Sequence, residues 1–60
     1  MVRISDCIDG WDVDGVGETV DAALFEIAQQ CIKTADDQER AARELRAAAA
    51  RYLAMREVKP

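Results

Sequence analysis

Histidine is absent from this 60-residue chain, and proline occurs once. Without an imidazole there is no side chain that titrates near neutral pH to serve as a general base, and none to ligate a metal through nitrogen. Cysteine occurs twice, as Cys7 and Cys31, too few for the disulfide scaffold of a small secreted domain. Two thiolates alone also fall short of a four-ligand zinc site built within one chain. Aromatic residues number three, Trp11, Phe25 and Tyr52, and no apolar run approaches the ~18 residues that span a bilayer. No basic start followed by an apolar block marks an export signal, so a cytoplasmic protein is expected. A chain of this length buries only about 60% of the surface its unfolded form exposes. Its core is small, and neither a pocket nor a desolvated catalytic carboxylate is expected of it. No catalytic, cofactor-binding or metal-binding residues are therefore assigned, and the chain is expected not to be an enzyme.

Basic residues are missing between Ile4 and Ile32, where seven acids stand (Asp6, Asp9, Asp12, Asp14, Glu18, Asp21 and Glu26). With Arg3, the first 32 residues hold one base against seven acids, a net charge of −6, within an overall −4. The remaining 28 hold seven bases against five acids, a net +2. A free nucleic-acid binder presents a basic face, and the acidic half argues against one.

All three glycines, Gly10, Gly15 and Gly17, fall in the acidic half, and helix interiors tolerate glycine and aspartate poorly. Residues 1–17 are therefore expected to form an acidic, Gly/Asp-rich arm. Within it Val2-Arg3-Ile4-Ser5 has the makings of a short strand, and Asp9-Gly10 and Asp14-Gly15 are turn signals. From residue 18 the apolar period becomes helical. Val20, Leu24, Ile27 and Cys31 follow one another at spacings of 4, 3 and 4, which predicts a first helix over 18–33. Ala41, Leu45, Ala48, Tyr52 and Met55 continue at 4, 3, 4 and 3 and predict a second over 34–57, with Ala47-Ala48-Ala49-Ala50 supplying the highest helix propensity available. Thr34-Ala35-Asp36-Asp37 resembles a helix N-cap followed by first-turn acids, which places the break at Thr34. The heptad phase nevertheless runs through that point, and one continuous helix in a coiled-coil dimer is the alternative.

The expected fold class is thus all-α: a two-helix antiparallel hairpin behind an acidic arm. Its stripe of Val20, Leu24, Ile27, Cys31, Leu45, Ala48, Tyr52 and Met55 is expected to drive a homodimeric four-helix bundle. Charge favours the antiparallel arrangement, which sets Glu18 and Asp21 near Arg51, Arg56 and Lys59.

The segment Asp9-Gly10-Trp11-Asp12-Val13-Asp14-Gly15 invites a calcium reading. With Asp12 at the first EF-hand position, however, Val16 and Ala23 fall at loop positions 5 and 12, where oxygen ligands belong. Gly15-Val16-Gly17 is half of a dinucleotide fingerprint, with Val20 in place of its third glycine. The remaining signal is for protein contact. Trp11 lies among acids and glycines, with Asp12 and Asp14 following it, and tryptophan is enriched at interface hot spots. Phe25 and Ile32 sit off the main stripe as a second apolar edge. These five residues are the partner-binding candidates of a small helical regulator, inhibitor or adaptor that binds another protein.

Two other functions are carried as alternatives. Val2-Arg3-Ile4-Ser5 as a strand, together with Gln38-Glu39-Arg40-Ala41-Ala42-Arg43-Glu44 through Arg51-Tyr52-Leu53, loosely resembles the ribbon–helix–helix family. That resemblance implies a DNA-binding repressor or antitoxin. Against the family's pattern, about a dozen acidic and glycine-bearing residues stand between strand and helix, and the inter-helix turn lacks its glycine. The second alternative is an acidic nucleic-acid mimic, which the −6 half would serve.

Overall fold

A computed structural model describes residues 1–56. Its order is two strands, β1 (Val2–Ile8) and β2 (Trp11–Gly17), then two helices, α1 (Val20–Asp37) and α2 (Glu39–Ala54). This overturns the all-α expectation: the acidic arm is a β-hairpin. The strands pair antiparallel without a bulge, from Val2 opposite Gly17 to Ile8 opposite Trp11. Asp9 and Gly10 form the two-residue turn, both with positive φ, 51° and 85°. That is the Asp-Gly turn whose twist matches the twist of the strands it joins. Helix propensity had excluded a helix from this segment correctly. Strand pairing is not visible in propensity, because β2, with two aspartates and two glycines, has poor intrinsic strand preference.

Register explains why such a sequence pairs. On one face of the hairpin stand Val2, Ile4, Asp6 and Ile8 opposite Gly17, Gly15, Val13 and Trp11; on the other stand Arg3, Ser5 and Cys7 opposite Val16, Asp14 and Asp12. The first face lies on the helices and the second meets solvent. Gly15 and Gly17 do not weaken the strand so much as let it descend onto α1. A Cβ at Gly15 would stand 2.3 Å from the Ile27 backbone nitrogen and 2.4 Å from the Ala23 oxygen, and one at Gly17 would stand 2.5 Å from the Ala22 Cβ. Only a residue without a side chain fits there.

The Thr19 side chain caps α1, accepting the Ala22 N–H at 3.1 Å. The helix passes through Thr34 and ends at Gln38, whose φ of −122° and ψ of 85° break the helical path. The break thus comes four residues later than the cap-like motif suggests. Ala35 is buried at the end of α1, as are Ala41 and Ala42 at the start of α2, so packing across a tight reversal overrides the local cap chemistry at Thr34. Gln38 contributes no side-chain cap to α2. The expected helix end at residue 57, and Lys59, lie outside the described residues.

The helices fold back on each other. Asp36 of α1 meets Arg46 of α2 at 3.6 Å, and Arg56, just past α2, lies over the Phe25 ring 5.4 Å from its centroid. Buried alanines line both helices, Ala23, Ala28 and Ala35 on α1 and Ala41, Ala42, Ala48 and Ala49 on α2, and their small size lets the two backbones approach closely. Ile27, Leu45 and Cys31 are the largest fully buried side chains, and Ile8 and Val13 bring the sheet into the same cluster. The molecule is one layer of sheet on one layer of helices. Leu24, Ile27, Cys31, Leu45, Ala48 and Tyr52, assigned above to a dimer seam, are buried within a single chain. That accounts for the stripe without the four-helix bundle, which the β-hairpin replaces as its cover.

Candidate interaction surfaces

One polar node joins the layers. Asp6 projects from the inner face of β1; one carboxylate oxygen accepts the Tyr52 hydroxyl and the other accepts the Cys7 N–H at 2.8 Å. The Tyr52 hydrogen bond first, and then the Cys7 N–H, hold the Asp6 carboxyl below the usual aspartate value. Burial, reinforced by its bond to the Asp6 carboxylate, pushes the Tyr52 phenol up to about 12. The neighbouring Cys31 thiol is raised as well, by burial and then by the Asp6 charge. The node keeps Tyr52 and Cys31 neutral and Asp6 ionised near pH 7. It is a structural latch: a protonated phenol and a buried thiol are poor nucleophiles.

The outer face of the sheet is shallow and charged. Arg3 bridges to Asp14 at 3.0 Å with both side chains well exposed, and Ser5 and Asp12 line the same open depression. Among the described residues no three metal-ligating side chains converge, and no helix is long and apolar enough to cross a membrane.

Exposed apolar side chains are distributed unevenly. Val16, Val20, Phe25 and Met55 are each at least 40% exposed, and Met1 is almost wholly so. All five lie at the end of the molecule where β1 begins, β2 passes into α1 and α2 terminates. One shallow groove there is lined by Val16, Thr19, Ala22, Phe25 and Arg56, and Val20 and Met55 line a second beside it. Trp11, also 40% exposed, stands at the opposite end beside the Asp9-Gly10 turn. Six residues of strand, about 20 Å, separate it from Gly17.

The five partner-binding candidates therefore do not form one site. Asp12 and Asp14 project from the outer sheet face, Trp11 stands at the turn, Phe25 lies under Arg56, and Ile32 is half-buried against the core. Of the stripe residues, Val20 and Met55 are the exposed members. Sequence reasoning missed the Asp6–Tyr52 latch and the seats of Gly15 and Gly17. Alternation in Trp11-Asp12-Val13-Asp14-Gly15, apolar or glycine against acid, was the available signal for the second strand. No residue pattern announces a hydrogen bond between positions 46 apart. The chain matches no protein family, no curated protein and no solved structure.

Proposed function

We propose that this chain is a non-catalytic protein-interaction module whose docking surface is the apolar end formed by Val16, Val20, Phe25 and Met55. The observation that carries the reading is the gathering of these exposed side chains at one end, while among the described residues the other large apolar side chains, Met1 and Trp11 apart, are buried or half-buried. Scattered exposed apolar residues are ordinary on a small protein; a contiguous group rimmed by charge marks a contact surface. Glu26, Asp21 and Arg56 supply that rim, which sets the orientation of a partner more than the strength of its binding. An acidic sheet face on the same molecule disfavours nucleic acid as the partner, which weighs against the ribbon–helix–helix reading.

The test is affinity capture with the immobilised chain beside a Val20→Asp/Phe25→Asp variant, both side chains being exposed enough to change without touching the core. A protein retained by the parent chain and lost from the variant, whose circular dichroism is unchanged, is the expected result. Equal retention by both would refute the assigned surface.

A further inference from the structure

We propose that two copies of this chain join through the outer edge of β1, which no described residue pairs with, antiparallel about a two-fold axis at Ile4, to make one continuous sheet of order β2-β1-β1-β2. The inference concerns self-association and is independent of the apolar end. In a two-residue hairpin the residues flanking the turn, here Ile8 and Trp11, are a hydrogen-bonded pair, and such pairs recur at every second position along an antiparallel ladder. Val2, Ile4, Asp6 and Ile8 therefore point their N–H and C=O groups at β2, and Arg3, Ser5 and Cys7 point theirs outward, as the register requires. The Cys7 N–H is already taken, by the Asp6 carboxylate at 2.8 Å. Arg3 and Ser5 remain, each with a donor and an acceptor, symmetrically placed on either side of Ile4.

That symmetry selects a second copy as the occupant. With Ile4 opposite its own equivalent, Arg3 of one copy faces Ser5 of the other and each exchanges ladder bonds with its partner in both directions. Cys7, which has no N–H to give, falls opposite Met1 at the margin of the contact. On the inner face the two Ile4 side chains meet at the closest kind of cross-strand position. Ile4 is only partly buried in the single chain, although it packs on the core cluster, and the contact covers the rest. A two-stranded sheet is marginal in water, and doubling it supplies what a core of this size lacks.

The opposite edge is protected against the same contact. On β2 the outward positions are Asp12, Asp14 and Val16, so a β2-to-β2 contact would oppose carboxylates. A β1-to-β2 contact would repeat without closing and give open filaments; the Arg3 guanidinium that would favour it is already paired with Asp14 of its own chain at 3.0 Å. Pairing through β1 closes after two copies and leaves acidic edges outermost.

The experiment combines sedimentation of the unaltered chain, from low micromolar to millimolar concentration, with residue-resolved amide exchange at both extremes. The expected mass rises towards twice 6.6 kDa. Arg3 and Ser5 amides should gain protection as it does, while Asp12, Asp14 and Val16 amides stay fast. A Ser5→Pro chain, whose altered N–H does not face β2, should weaken dimerisation by about tenfold or more. A monomer throughout would overturn the proposal, as would a dimer with unprotected Arg3 and Ser5, or species that grow beyond two copies. If Ser5→Pro fails to fold, the exchange of the unaltered chain decides alone.

Discussion

The two layers of this protein are seated by opposite means. The helical layer holds together through side chains that are present: Leu24, Ile27, Cys31, Leu45 and Tyr52 fill the space between α1, α2 and the sheet. The sheet layer holds to α1 through side chains that are missing, because Gly15 and Gly17 bring the β2 backbone to within a methyl group of the α1 backbone. A small chain thereby obtains close packing in both layers although it has few large apolar residues to spend on either. Adding one carbon to the sheet should therefore do what removing several does to the helices.

The largest effect is expected from Gly15→Ala. Its new methyl meets backbone atoms of Ile27 and Ala23, which have no rotamer to change, so the sheet must lift. A cost of about 3 kcal/mol or more consumes most of the stability of a domain this small. Urea unfolding with far-ultraviolet circular dichroism should show a chain largely unfolded at room temperature. Leu45→Ala, the matching deletion in the helical layer, empties a fully buried position and should cost about 2–5 kcal/mol by the same measurement. If Gly15→Ala proved milder than a surface substitution, the contrast between the layers would fail.

Tyr52→Phe sharpens the comparison by cutting a side-chain hydrogen bond between the layers, for about 1 kcal/mol given the exposure of Asp6. The pH dependence follows from the shifts. Asp6 is lowered from 3.8, so its contribution is present above that value and is lost as pH falls below it. Tyr52 is raised from 10.0 to about 12, so its contribution is full below pH 10 and is lost as pH climbs from 10 towards 12. Cys31, raised from 9.0, adds a loss in the same direction that begins nearer pH 9. Thermal melts across pH should thus decline on both sides, and the phenylalanine variant should keep only the part of the alkaline decline due to Cys31. Thr19→Ala removes the cap of α1 at about 1 kcal/mol, read from the same melts. Arg3→Ala, at a well-exposed ion pair, should change stability by less than about 0.5 kcal/mol.

Legibility in the sequence follows the same division. Side chains that pack at regular intervals announce themselves: Leu24, Ile27 and Cys31, then Leu45, Ala48 and Tyr52, mark both helices and the faces they bury. Their junction is less visible, because the cap-like Thr34-Ala35-Asp36-Asp37 is a local signal, whereas the break at Gln38 goes with burial of Ala35 before it and of Ala41 and Ala42 after it. The hairpin is the hardest to read. Its best marker, Asp9-Gly10 between alternating residues, was visible as a turn, but a seat made of glycine carries no hydrophobic period and resembles a loop. The apolar end was not legible as a unit: the sequence assigns Val20 and Met55 to a self-association stripe and Phe25 to a separate edge, and Val16 and Met1 come beside them only once β2 and β1 are placed beside α1.

The central claim is that the acidic, glycine-bearing first third of the chain is a β-hairpin seated on α1. Backbone chemical shifts with cross-strand nuclear Overhauser contacts test it directly. Extended shifts over Val2–Ile8 and Trp11–Gly17, left-handed shifts at Asp9 and Gly10, and contacts joining Gly15 both to Ile4 and to Ile27 are the expected result. Random-coil shifts throughout residues 1–17 beside two intact helices would contradict the account.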